Sequence, residues 1–205
     1  MEKIYLKGYN CYNNGQYLKA IKIFKKLPKT PQIKFNIATC LKETKLIDNI
    51  DKSIDIFIQL LANKNCLELH NDIQKNLVSA TTYYEKYYSD KRNYKKAIKL
   101  NDKIRKILPN DCTLLNNKGK LLCSNHNVDE GLNFYLKSYH SNNKFTYPLN
   151  NYLFECLYLN NTFRDTLRKH IKYGLICYNN SNHYNTKNCI YNNKLINIGY
   201  VSGDF

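Results

Sequence analysis

Internal repetition constrains this chain more than any other feature. Residues 4–31 read IYLKGYNCYNNGQYLKAIKIFKKLPKTP, with Gly8, Gly15, Tyr17, Ala20, Ile21 and Phe24 at fixed offsets. Those offsets fit a helix–turn–helix unit of about 34 residues. Small residues at 8 and 20 let two helices cross closely, Tyr17 and Phe24 fill the space between them, and Asn14-Gly15 makes the turn. The flanks of that Asn-Gly carry helical rather than alternating periodicity, so it is not a hairpin signal. The pattern then returns. Ala38, Ser53, Ile54 and Phe57 mark a second copy, whose turn at 42–51 is expected to be about three residues longer than usual. Tyr94, Ala97, Ile98 and Pro109 mark the second half of a third copy; its first helix departs from the pattern, with Glu85 where a small residue belongs. The fourth copy has Gly119 and Gly131 at its small positions and Leu115, Leu122, Leu132 and Tyr135 as packing residues.

Four copies in register resemble the tetratricopeptide (TPR) family over roughly residues 1–145. The resemblance implies an all-α solenoid, a right-handed superhelix whose helix pairs bury their apolar faces on their neighbours and leave a concave groove. The expected organisation is repeat 1 at 1–33, repeat 2 at 34–63 with the lengthened turn, repeat 3 at 64–111 with an irregular first helix, and repeat 4 at 112–145. A transitional helix pair follows at 146–178, broken near Asn160-Asn161 with Thr162 capping the second helix. A polar linker at 179–194 and a short extended segment at 195–205 complete the chain.

Composition narrows the classes. Seven Gly and four Pro in 205 residues exclude a collagen-like chain and argue against an all-β protein rich in tight turns. No apolar run reaches the roughly 18–20 residues of a membrane span, and the N-terminus MEKIYLKGYNCY has no signal-peptide core. The chain is therefore expected in the cytoplasm or nucleus, without a membrane. Net charge is +16, but it comes from 28 Lys and only 4 Arg, alongside 31 Asn. Nucleic-acid sites favour the bidentate fork of arginine, so the charge reads as codon composition on a solvated surface, with no nucleic-acid partner beyond non-specific attraction. Arg92, Lys95, Lys96, Lys99, Lys103 and Lys106 form a basic stripe on the second helix of repeat 3, which faces the convex side. Eight Cys fall at 11, 40, 66, 112, 123, 156, 177 and 189 with no C-x-x-C, and the five His never stand at ligand spacing. Buried reduced thiols and no metal site follow.

The C-terminus adds a second resemblance. Asn197-Ile-Gly-Tyr-Val-Ser-Gly-Asp-Phe205 is similar to the opening strand of the catalytic region in protein O-linked N-acetylglucosamine transferases and the related Spindly-type O-fucosyltransferases. Asn150-Asn151-Tyr152-Leu153-Phe154 and the helix through His170 and Gly174 resemble the transition that precedes that strand. The family's catalytic and nucleotide-sugar residues lie downstream of it, so the resemblance carries no catalytic residue and no cofactor onto these positions. Ser202 is no substitute, because Gly199-x-x-Ser202-Gly203 is one residue off the nucleophile-elbow spacing.

The same resemblance implies asparagines on the first helix of each repeat that grip a substrate backbone. Each side-chain amide offers a donor and an acceptor to any peptide unit. Counting two residues before the small position gives Asn36 and Asn117, with Asn151 in a fifth unit; Leu6 and Tyr83 break the ladder in repeats 1 and 3. Tyr83, Tyr84, Tyr87 and Tyr88 form two adjacent stripes, readable as an aromatic groove wall or as packing between repeats. The groove candidates are thus Asn36, Tyr83, Asn117 and Asn151. The function they fit is a peptide- or protein-binding scaffold without catalysis of its own. The alternative is the N-terminal, substrate-binding part of a protein O-glycosyltransferase.

Overall fold

The computed structural model describes residues 1–159 and 162–179; the expected extended segment at 195–205, and the linker from 180 onward, lie outside the described residues. Helical apolar spacing folds the described chain into ten α-helices: α1 Glu2–Asn13, α2 Tyr17–Phe24, α3 Pro31–Glu43, α4 Ile47–Leu61, α5 His70–Asp90, α6 Tyr94–Arg105, α7 Cys112–Ser124, α8 Val128–Ser141, α9 Tyr147–Cys156 and α10 Phe163–Asn179. A short 3-10 segment, Lys64–Leu69, leads into α5. Each helix packs on the next, and the pairs α1–α2, α3–α4, α5–α6 and α7–α8 are the four repeats. Successive first helices also meet, α3 with α5, α5 with α7 and α7 with α9. No two successive second helices meet to that extent among the described residues, so the stack curves with its first helices inside. This is an all-α solenoid of tetratricopeptide type.

Caps fix where helices begin. Thr30 accepts from the Ile33 amide at 3.3 Å with Pro31 following it, Asn93 from Lys96 at 3.3 Å, and Asp111 from Leu114 at 2.9 Å. Thr162 accepts from the Asp165 amide at 3.2 Å and donates to its carboxylate at 2.6 Å, holding the start of α10. The turns inside the repeats share another device: one residue at positive φ, Gly15 (72°), Lys45 (55°), Arg92 (55°) and His126 (62°). In repeats 1, 3 and 4 the next amide reaches back to the first helix, Gln16 to Cys11, Asn93 to Tyr88 and Asn127 to Leu122, at 2.8–2.9 Å. These are Schellman closures. In repeat 2 only Thr44, Lys45 and Leu46 separate the helices; the extra length lies in the start of α4, where Phe57 stands ten positions after Ile47 while Phe24 stands seven after Tyr17 in α2. Adding nearly one helical turn keeps every amide in the ladder paired, which a longer loop does not.

The core is a chain of small-against-aromatic pairs between the two helices of a repeat. A Cβ on Gly8 would sit 2.7 Å from the Phe24 ring, and one on Gly119 would sit 2.8 Å from the Tyr135 ring. Ala38 and Phe57, both fully buried, are the repeat 2 counterpart. In repeat 4 the two backbones themselves come close, and a Cβ on Gly131 would lie 2.8 Å from the Gly119 carbonyl oxygen. Repeat 3 breaks the series: the small position holds Glu85, and the aromatic position holds Asn101. Both are buried, and the Asn101 amide donates to Glu85 Oε1 at 2.7 Å.

Candidate functional site

The first helices lie on the inner face, so their polar side chains decide what the groove offers. Three of the four sequence-derived candidates play one part there. Asn36 donates to the Tyr5 hydroxyl at 3.3 Å, Asn117 donates to Thr82 Oγ1 at 3.1 Å and Glu85 Oε2 at 2.8 Å, and Asn151 donates to Asn116 Oδ1 at 3.0 Å. Each bond reaches back to the preceding first helix. The amides thus tie α1 to α3, α5 to α7 and α7 to α9. Lys42, donating to Asn76 at 2.8 Å, ties α3 to α5. The Asn36 oxygen is taken by Gln32 at 3.0 Å. The oxygens of Asn117 and Asn151 receive no donor among the described residues.

Tyr83 is placed differently. Its hydroxyl donates to the carbonyl of Lys45 at 3.1 Å, in the turn of repeat 2, and its half-buried ring packs on the central core. The rest of the tyrosine stripe turns toward α6: Tyr84 is buried, its ring stacks 4.6 Å from Tyr88, and Lys96 donates to the Tyr88 hydroxyl at 2.7 Å. These rings pack the repeat, and none of them lines the central cavity.

That cavity, about 260 Å³, opens between α5 and α7 and is lined by Thr82, Glu85, Ser89, Asp90 and Asn117, with Lys86 and Lys120. Glu85 is its unusual member. Only 3% of the residue is exposed, and it has hydrogen bonds from two amides but no ion pair among the described residues. Burial raises its carboxyl to about 7, against the opposing pull of the Asn101 and Asn117 hydrogen bonds. Lys118, a cation whose charge favours the ionised form, is itself paired, with its Nζ 2.8 Å from both oxygens of Asp102. Asn101 Oδ1, alongside, is buried and finds no donor among the described residues. A second, apolar cavity of about 150 Å³ lies between α1 and α3, lined by Tyr9, Tyr12, Phe24, Phe35, Asn36 and Thr39.

Glu85–Asn101 is the feature that the position-by-position reading of the sequence missed as a site. Its signal was present: the two residues are as far apart as Gly8 and Phe24 or Gly119 and Tyr135. Reading the small and aromatic positions together shows that repeat 3 replaces a packing pair with a carboxylate–amide pair. Elsewhere the site chemistry is quiet. Among the described residues no group of three His, Cys, Asp or Glu side chains could hold a metal ion, and no helix is long and apolar enough to cross a membrane. Burial pushes the Cys40 thiol up to about 12 and the Cys123 thiol up to about 11, so neither supplies a thiolate.

Comparison with known proteins fits this picture. No family model matches the chain, and no curated protein matches its sequence. Solved structures do match. An ArsTM double mutant of MamA RS-1 superposes with a TM-score of 0.56 at 11% identity, covering 87% of this chain and 94% of that one. MamA from residue 41 to its end, from Desulfovibrio magneticus RS-1, gives 0.55 at 13% identity, covering 86% and 95%. MamA of AMB-1 gives 0.51 at 13% identity, covering 86% and 98%. At such identities the likeness is one of fold alone.

Proposed function

We propose that the chain is a protein-interaction scaffold whose inner face, formed by α1, α3, α5, α7 and α9, holds an extended segment of another protein. The observation that carries this reading is the Asn117 and Asn151 pair. Each amide is held by a bond from its own nitrogen, while its oxygen receives no donor among the described residues. An oxygen fixed in this way accepts from a peptide N–H of any sequence at little entropic cost, because the side chain is already ordered. Asn36, whose oxygen is taken by Gln32, braces the inner face at the other end of the stack through its bond to Tyr5, with Tyr83 between them as an ordered aromatic wall. The mechanism is shape and hydrogen bonding, without covalent chemistry.

The test is binding of a random extended-peptide library to the whole chain, with the variants Asn117→Ala and Asn151→Ala. The expected result is captured peptides whose affinity falls about thirtyfold in the double variant, the loss of two hydrogen bonds at about 1 ± 0.5 kcal/mol each. Capture of nothing, or capture unchanged by the double variant, overturns the reading. A second reading rests on the resemblance of residues 197–205 to a glycosyltransferase strand: the chain is then the substrate-selecting part of such an enzyme. Sugar transfer from a nucleotide sugar, appearing only when a downstream catalytic region is supplied, is the result that reading requires.

A further inference from the structure

We propose that the cavity between α5 and α7 is a subsite for one cationic side chain, lysine or arginine, of the bound segment, with Glu85 as its counter-ion. The inference rests on the reading of the inner face as a peptide groove and names what one stretch of it selects. The cavity, about 260 Å³, is smaller than the roughly 300–1,000 Å³ of small-molecule pockets and suits a single long side chain.

Its chemistry is set by the buried carboxylate. Glu85 stands where the other repeats have Gly8, Ala38 and Gly119, so the fold does not require an acid there. The two amides that hold it, Asn101 and Asn117, donate one hydrogen bond to each oxygen and leave a lone pair on each unfilled. Every charged group around it is otherwise engaged or turned to water. Lys118, on α7, is clamped on Asp102 of α6, while Asp111 caps α7. Lys86 and Asp90 on α5 and Lys120 on α7 line the cavity as exposed side chains. A carboxylate held out of water without a cation gains most from a cation that enters. Asp90 adds a second acceptor at the same opening. Thr82, Ser89 and the free Asn117 oxygen accept the remaining ammonium or guanidinium hydrogens.

Burial holds the Glu85 carboxyl near 7, so the subsite also carries a pH dependence. Below 7 Glu85 is neutral and has no charge to offer. Above 7 it is ionised and attracts a cation, and an ammonium or guanidinium in the cavity in turn holds it ionised at lower pH.

The experiment uses the whole chain, ¹⁵N-labelled, and four blocked pentapeptides, acetyl-Ala-Ser-X-Ser-Ala-amide, with X as lysine, arginine, glutamate or norleucine. The readout is the side-chain amide signals of Asn101 and Asn117. The expected result is saturable shifts of both signals with the lysine or arginine peptide at pH 8 and none with the other two. Binding is then about tenfold weaker at pH 6, following the ionised fraction of Glu85, and is lost in Glu85→Gln. Because a single change in the core risks the fold, a second variant combines Glu85→Ala with Asn101→Phe, the pairing that repeat 2 uses; it is expected to fold and to bind no cationic peptide. Shifts that are equal for all four peptides, or that survive Glu85→Gln, overturn the cationic subsite and leave the peptide groove standing. No shift with any of the four also overturns the subsite, and the library capture then decides the groove by itself.

Discussion

Glu85 is an acid in a position built for a methyl group or a hydrogen, and this has a consequence for stability as well as for binding. Its carboxyl is near 7 in the fold and near 4.5 in an unfolded chain. Between those values the folded state holds a proton that the unfolded state has released, so stability falls as pH rises from about 4.5 to about 7 and levels off above. The displacement corresponds to roughly 3 kcal/mol. Urea unfolding at pH 5 and pH 8 should therefore show the wild type losing stability across that interval by more than Glu85→Gln does. Parallel pH dependence in the two proteins would show that Glu85 has the same proton affinity folded and unfolded. At this same scale the asparagines were only half legible. Counting from the small positions found Asn36, Asn117 and Asn151, and the structure places all three on bonds to the preceding first helix. That bonding was hidden, because the partners Tyr5, Thr82, Glu85 and Asn116 lie about one repeat away and follow no pattern of their own.

At the scale of elements, periodicity wrote the helices and turn chemistry wrote their ends unevenly. Asn14-Gly15 announced its turn because glycine reaches positive φ without strain. The same backbone is imposed on Lys45, Arg92 and His126, residues that give no such signal; there the packing of the helices chooses the conformation and the side chain bears the cost. The extra residues of repeat 2 illustrate the same limit. Their number was legible, but their lodging in α4 follows from backbone pairing, which the side chains do not spell out. Arg92 is the place to test the strain. Its amide closes the turn on Ser89 at 2.8 Å, a bond that glycine keeps. Arg92→Gly is expected to raise stability by about 1 kcal/mol, the left-handed cost relieved less the entropy that glycine adds to the unfolded chain. Chemical denaturation of the two proteins measures it, and an unchanged or lower midpoint for Arg92→Gly counts against strain at this turn.

The described residues form a line of helix pairs in which each pair packs on its neighbours, and that connectivity governs how damage spreads. Gly8 lies in the first pair, with only α2 and α3 to lean on, and a Cβ there meets the Phe24 ring at 2.7 Å. Gly119 lies near the other end of the array but has neighbours on both sides. A Cβ there meets the Tyr135 ring at 2.8 Å and the Gly131 carbonyl oxygen at 2.9 Å, and the carbonyl belongs to backbone that cannot turn aside. Overpacking of this kind costs about 1–3 kcal/mol. In a globule with one shared core, Gly8→Val would lower the protection of every helix together. In a linear stack, it should cut amide hydrogen-exchange protection about ten- to hundredfold in α1 and α2 while leaving α7 and α8 at wild-type values. Gly119→Val, by contrast, should lower protection in α5 through α9, because both neighbouring pairs lose the surface they pack on. Uniform loss in both variants would mean that the repeats unfold as one unit. The groove would then be a single rigid template, instead of a row of subsites that open one at a time.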